Sequence, residues 1–288
     1  MFGIVNIMKT LYVYVKEYFQ NVPKWHSWVA VTVAVVLLLI LASNFAEPSN
    51  PLYPVKVYFT EKIGSLFAFT ERQQAGRARE LSDRRLGEAA RLLLGLQLDK
   101  DKMTTLRDLL MADIAKGRAV IDLMSKNNNT SAAADLANRF EADLLGYEVI
   151  FLKLRKEHDG ALDQVDSIGA SLAEEISKIQ KMRSALETSL AASGNATLLK
   201  NQIGNTSVDV KNLVSKARRI ISDNKLTLGD NIAQLSESRL RSTESVLLEA
   251  EGKEKNELYG EAFMLVNQAY REAEAEIIFL GFMSEFSA

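Results

Sequence analysis

The sequence contains no cysteine, two histidines and only four prolines among its 288 residues. The absence of cysteine excludes a disulfide scaffold, thiol catalysis and metal sites with cysteine ligands. All four prolines lie in the first 54 residues, so the chain from Val55 to Ala288 has none, against about 12 at the usual frequency. Proline costs about 3 kcal/mol in a helix interior but is common in the turns of sheet proteins. The long proline-free region therefore predicts helix and argues against an all-β or collagen-like fold.

The motifs of common catalytic sites are also missing. The sequence has no phosphate-binding Gly-x-x-x-x-Gly-Lys-Ser/Thr loop, no Gly-x-Gly-x-x-Gly fingerprint and no Gly-x-Ser-x-Gly elbow. His158 is interpreted as a residue at a helix end and not as a proton switch. Two acidic clusters lack the Glu-x-x-His spacing of di-iron bundles and are interpreted as solvated surface. These clusters are Glu174 with Glu175, and Glu272 with Glu274 and Glu276. We therefore predict no catalytic, cofactor-binding or metal-ligating residue and a protein that is not an enzyme.

Positive charge is balanced along the chain, with 35 basic and 37 acidic residues. The most arginine-rich stretch runs from residue 72 to residue 91, and acidic residues alternate with its arginines. A nucleic-acid site needs uncompensated positive charge. This stretch is therefore interpreted as a solvated helix face with pairs at i,i+4, and no nucleic-acid partner is expected.

One long apolar run is present, from Ser27 to Ala46, and it carries no charged residue. At 1.5 Å per residue, 20 helical residues reach about 30 Å, the thickness of a bilayer core. Trp25 and Trp28 lie at its start and Phe45 near its end, where aromatic rings favour the headgroup level. We predict a transmembrane helix over 27–46. A cleaved signal peptide is the alternative, but the run is longer than a signal core and Asn44-Phe45-Ala46 is a poor cleavage site.

The flanks of this run predict its orientation. Three lysines precede it, whereas one lysine follows it within ten residues, which favours a cytoplasmic N-terminus and an exported C-terminal part at the inner membrane. Residues 1–26 then form a short cytoplasmic tail, either an interfacial helix or a tail with no separate role. Residues 47–54 form a proline-rich connector in which Pro51, Tyr53 and Pro54 precede the first exported helix.

Residues 55–288 are predicted to form an extracytoplasmic bundle of long antiparallel helices, an all-α fold. The pattern predicts helices at 54–97, 101–126, 131–158, 162–190, 198–221, 231–251 and 256–283, separated mainly by glycine and asparagine. The most regular apolar seam is Leu162, Val165, Leu172, Ile176, Ile179, Leu186 and Leu190. Its partner is either a helix of the same chain or a second copy.

Two parts of the sequence resemble a bacterial family of single-pass, membrane-anchored helical domains of unknown function. The first comprises residues 51–56 (PLYPVK) and 79–89 (RELSDRRLGEA); the second comprises 259–263 (YGEAF) with 267–269 (NQA). In many members the exported domain follows a cytoplasmic anti-sigma-type region, whereas here 26 residues precede the apolar run. The resemblance implies an anchor and a helical fold, with no catalytic activity.

The sequence thus predicts a membrane-anchored helical binding protein, scaffold or sensor of the cell envelope, without a cofactor. Its expected partners are the lipid bilayer and a protein of the envelope. Two alternatives remain: an anti-sigma-type signalling adaptor that acts through the anchor, and a structural bundle that self-assembles through the seam.

Overall fold

The computed structural model describes residues 24–43, 46, 50–62, 67–94, 100–157 and 162–286. Regular structure in these ranges is helical, and no strand occurs among them. This confirms the predicted all-α class. The chain divides into two compact units, Met1–Phe67 and Ala68–Ala288, which are described separately below.

The first unit contains helix α1, Lys24–Ser43, and the short helix α2, Tyr53–Val55, which continues as a π-helical segment, Lys56–Thr60. Nine large apolar side chains of α1 are 42–73% exposed: Trp28, Val29, Val31, Val33, Val35, Val36, Leu38, Leu39 and Leu41. Pro54 lies in the first turn of α2. Nearby, the Lys56 Nζ donates a hydrogen bond of 2.9 Å to the Ala46 carbonyl.

Within the described residues, no helix combines the length and the apolar character that a bilayer crossing requires. The predicted span, 27–46, includes residues 44 and 45, which lie outside the described residues, and its predicted end is wrong because Ala46 is not helical. The transmembrane assignment therefore stays a prediction.

The second unit is a bundle of long helices joined by short turns. Its helices are α3 (Glu71–Leu94), α4 (Lys100–Lys126), α5 (Thr130–Glu157), α6 (Leu162–Ala192), α7 (Ala196–Asp223), α8 (Lys225–Lys255) and α9 (Tyr259–Phe286). Six of the predicted helices are found within a few residues of their expected ends, and α7 continues through Gly204 without a break.

The first predicted helix, 54–97, is wrong as a single element because residues 67–70 are not helical. The start of α3 is fixed there by a reciprocal cap. The Thr70 hydroxyl accepts a hydrogen bond from the Gln73 N–H at 3.2 Å, and the Gln73 side chain accepts from the Thr70 N–H at 3.1 Å. This Thr-x-x-Gln capping box satisfies donors that a helix N-terminus otherwise leaves without partners.

The turns between helices use residues that tolerate positive φ. Asn128 between α4 and α5 has φ 62°, and Gly194 between α6 and α7 has φ 66°. Gly229 has φ 72° and introduces a kink near the start of α8. The side chain of Asn195 then caps α7 by accepting a hydrogen bond from the Leu198 N–H. These are the positions at which glycine and asparagine predicted breaks.

Helices α5 and α9 form the centre of this unit. Helix α9 packs against α5, α6, α7 and α8, while α5 packs against α3, α4, α6 and α9. One continuous apolar core contains residues of all seven helices. The α5–α9 crossing is close, since a Cβ placed on Gly146 would lie 2.8 Å from the Ile278 Cβ.

Candidate functional site

Charged side chains are buried on one side of the α5–α9 pair, facing α3. Asp143 on α5 is 4% exposed and accepts two hydrogen bonds from the Arg79 guanidinium of α3, through Nε and, at 2.7 Å, through the second nitrogen. Arg79 also donates to Glu274 of α9 at 3.2 Å. One arginine thus links three helices through two carboxylates.

Burial controls the protonation of the two aspartates near Arg79, but not that of Arg79 itself. It raises the pKa of Asp143 to about 7, because loss of solvent outweighs the opposing effect of Arg79. Burial likewise raises the pKa of Asp83, whose carboxylate is hydrogen-bonded to Tyr147. For Arg79, burial acts to lower the pKa, but the bond and charge of Asp143 outweigh it and the pKa is raised.

A second buried cluster lies on the opposite side of α5, facing α6. Arg183 of α6 donates hydrogen bonds to Glu141 of α5 and to Glu187 of α6. Arg271 of α9 donates to the Asn138 Oδ1 at 2.6 Å and to Glu187 at 3.4 Å. Burial and the neighbouring Arg183 lower the pKa of Arg271, whereas burial raises that of Glu187.

Within the described residues these clusters contain acids and bases but no arrangement of nucleophile and general base. No group of three or more histidine or acidic side chains there is placed to hold a metal ion. The charges pair across helices, so the geometry favours a structural role that fixes which faces of α3, α5, α6 and α9 meet.

The cavities that open at the surface of the second unit include three that are lined by described residues. The α8 cavity, of about 420 Å³, lies between α5, α8 and α9 and is lined by Leu145, Glu148, Arg239, Arg271, Glu272 and Glu276, among others. The α6 cavity, of about 350 Å³, lies between α5 and α6. The α7 cavity, of about 310 Å³, is bordered by α3, α5, α7 and α9 and is rich in amide and hydroxyl side chains. These volumes fall at the lower end of the range for small-molecule sites.

The α8 cavity differs from the others by a buried carboxylate with an unused acceptor. Glu276 is 4% exposed, and its Oε2 accepts a hydrogen bond from Arg239 at 3.2 Å. Its Oε1 is buried and has no hydrogen-bond partner in the protein. Leaving such an oxygen unsatisfied costs about 1–3 kcal/mol or more. The Gln202 Oε1 in the α7 cavity also has no partner, but it belongs to a neutral amide, whereas Glu276 is a carboxylate.

The structure places the predicted seam inside the chain. Val165, Leu172, Ile176, Ile179, Leu186 and Leu190 are buried in the common core, while the side chain of Leu162 lies outside the described residues. The intramolecular alternative therefore accounts for the seam, and a self-assembling bundle would need another surface.

The remaining predicted residues lie in the first unit. Trp28 is exposed on α1, Tyr53 is buried, and Pro51 and Pro54 are exposed. Phe45 and the Trp25 side chain lie outside the described residues, as does His158.

Two interpretations of charged residues were wrong. Glu175 and Glu276, which are 7% and 4% exposed, are buried and not on a solvated face, and in the arginine-rich stretch Arg85 and Glu88 are buried together at 3.0 Å. Within the same stretch, Arg84 forms the expected i,i+4 pair with Glu80, and Arg77 pairs with the same glutamate at i,i+3. The signal for Glu276 was its position directly before the apolar residues 277–280.

Comparison with known proteins adds no relative: no family model matches the chain, and neither a curated protein nor a solved structure is significantly similar to it. The resemblance to membrane-anchored helical domains therefore stays a hypothesis based on the short segments given above.

Proposed function

We propose that the protein is a membrane-anchored binding protein of the cell envelope, whose helical bundle is exported and holds a partner or ligand without chemical conversion. The observation that carries the proposal is the exposed apolar surface of α1. Nine large apolar side chains of one helix are uncovered, and contiguous surfaces of this kind mark membrane or protein contacts.

The composition of α1 favours the bilayer as the partner of this surface. From Trp28 to Ser43 the helix contains no charged residue, and nine of its large apolar side chains are exposed, while Ile40 is half-buried. A helix that docks on a protein usually has one apolar stripe and a polar opposite face. Helix α1 has 20 residues and at 1.5 Å per residue reaches about 30 Å, the thickness of a bilayer core.

The bundle supports binding as its role. Its cavities are lined by hydrogen-bonding side chains next to apolar walls, the usual composition of a small-molecule site. The buried ion pairs keep the surrounding helices in one arrangement, and preorganised helices of this kind reduce the cost of ordering on binding.

Extraction of membranes at alkaline pH tests the anchor. The full chain, expressed in a bacterial host, should stay in the membrane pellet. The double variant Val33→Asp with Leu39→Asp should move into the supernatant, because each aspartate near the centre of a span costs about 2.5–3.5 kcal/mol.

The matched control is Val208→Asp with Leu248→Asp, at positions of the bundle that are 58% and 67% exposed. It should stay in the pellet. Release of the unmodified chain into the supernatant would contradict the anchor.

A further inference from the structure

The α8 cavity is lined by polar groups whose hydrogen bonds the fold does not fully satisfy. Glu276, Glu272 and Glu148 contribute three carboxylates and Arg239 and Arg271 two guanidinium groups, next to the apolar side chains of Leu145 and others. Most of these groups already have partners within the bundle. The question is therefore which of them remains for a ligand.

Both arginines of the cavity are engaged. Arg239 donates to the Glu276 Oε2 and lies 5.5 Å from the centre of the Phe279 ring. Arg271 donates to Asn138 and Glu187 in the buried cluster beside α6. An anionic ligand would have to compete with these internal acceptors.

The acceptors are only partly engaged. Glu272 accepts hydrogen bonds from Thr243 at 3.2 Å and from Gln268 at 2.9 Å. Glu276, which is almost fully buried, uses one oxygen only, and Oε1 has no donor. With three acidic and two basic side chains, the lining has an excess of one negative charge. The missing element is a positively charged hydrogen-bond donor.

The walls define the rest of the ligand. Leu145, Val149 and Ala275 line the same cavity and provide apolar surface beside the carboxylate. A ligand with a hydrogen-bond donor at one end and a short hydrocarbon chain would match both the carboxylate and the apolar wall. The cavity volume of about 420 Å³ is sufficient for a small organic molecule.

We propose that the α8 cavity binds a small organic amine, with its ammonium group donating to the Glu276 Oε1 and its hydrocarbon part against Leu145, Val149 and Ala275. A bare metal ion fits less well, because the described acidic side chains form no group able to surround one. The inference specifies the ligand class for the proposed binding function and is independent of the membrane anchor.

Titration of the purified full chain with n-butylammonium tests this site, using calorimetry and the methyl NMR signals of Leu145 and Val149. We expect saturable binding, shifts of both sets of methyl signals, and at least about tenfold weaker binding of n-butyrate. Glu276→Gln should weaken n-butylammonium binding about tenfold or more, because a charge-assisted hydrogen bond is replaced by a neutral one.

Glu249→Gln is the matched control. Glu249 is exposed on α8 and does not line the cavity. The variant removes the same charge elsewhere, so its affinity for n-butylammonium should equal that of the unmodified chain. Ala275→Leu is a second variant, which fills the cavity without altering a charged group and should also weaken binding. Circular dichroism melting checks that each variant is folded. If Glu276→Gln is not folded, the binding of n-butylammonium to Ala275→Leu tests the site instead.

The proposal is overturned if the folded chain shows no saturable binding of n-butylammonium, if n-butyrate binds equally well, or if folded Glu276→Gln binds as tightly as the control. Membrane extraction of the same protein reports the anchor separately, so failure of the amine site and failure of the anchor are distinguishable.

Discussion

Buried charges are the main feature of this molecule at the scale of single residues. Asp143, Glu141, Glu187 and Arg183 are each at most 8% exposed, yet all take part in hydrogen bonds between or within helices. A paired buried charge adds little net stability compared with an apolar substitute, but removing one partner leaves the other without compensation. These residues therefore act chiefly by excluding other arrangements of the helices.

Arg183→Met tests this at the cluster beside α6. The variant leaves Glu141 and Glu187 buried with only Arg271 nearby, at 3.9 Å and 3.4 Å, so we expect the free energy of unfolding to fall by about 3–5 kcal/mol in urea titrations. Arg219→Met is the control, because Arg219 is 83% exposed and its pair with Asp223 is on the surface. It should change stability by less than about 0.5 kcal/mol; equal effects of the two variants would contradict the role of the cluster.

Asp143 predicts a pH dependence. Its pKa rises from an ordinary value of 3.8 to about 7 on folding, so the folded state binds the proton more tightly. The contribution of Asp143 to stability is present below about pH 4 and is lost as the pH rises to about 7, by up to about 1.4 kcal/mol per pH unit. Urea unfolding at pH 5 and pH 7.5 should therefore show a smaller difference for Asp143→Asn than for the unmodified chain.

Asp122→Asn is the control for this measurement. Asp122 pairs with Lys126 on the surface, at 50% exposure, so its replacement removes one carboxylate without altering the buried cluster around Asp143. If Asp143→Asn and the unmodified chain respond identically to pH, burial of this carboxylate does not control the protonation of the folded state.

At the scale of elements, most helix ends follow from local chemistry. The breaks at Asn128, Gly194 and Gly229 were predictable because glycine and asparagine adopt positive φ more readily than other residues. All three residues have positive φ in the structure. The break before α3 was missed, although Thr70-x-x-Gln73 is a recognisable capping box.

The buried charges could not be predicted, because Arg79 pairs with a residue 64 positions away and a helical pattern shows only neighbours at i,i+3 and i,i+4. The cavity at Glu276 likewise depends on how α5, α8 and α9 meet.

Two glycines in helix interiors, Gly146 at the α5–α9 crossing and Gly169 on α6, should respond to alanine substitution with opposite changes in stability. Gly146→Ala would place a Cβ 2.8 Å from the Ile278 Cβ and 3.1 Å from the Ala275 carbonyl oxygen, which should destabilise the fold by about 1–3 kcal/mol. Gly169→Ala meets no atom within 4 Å and should stabilise by about 0.5–1 kcal/mol through helix propensity. Thermal melting of both variants checks this, and a stabilising Gly146→Ala would contradict the close crossing.

At the scale of the whole molecule, the two units have different surfaces. The first unit exposes an apolar helix, whereas the second buries most of its apolar residues in one core, exposes others singly, and pairs many of its charges. This division is the basis for our proposal that one part attaches to the bilayer and the other binds a ligand. The lysine distribution predicts that residues 1–26 lie on the cytoplasmic side and the bundle outside.

Cysteine labelling in intact cells tests this central claim most directly, because the chain has no cysteine of its own. Ser238→Cys introduces one thiol at an exposed position of α8, and Asn6→Cys introduces one in the N-terminal tail. With a maleimide that reaches the periplasm but does not cross the inner membrane, we expect labelling of Ser238→Cys in intact cells and of Asn6→Cys only after the inner membrane is disrupted. Labelling of both variants, or of neither, in intact cells would contradict a bundle and a tail on opposite sides of the membrane.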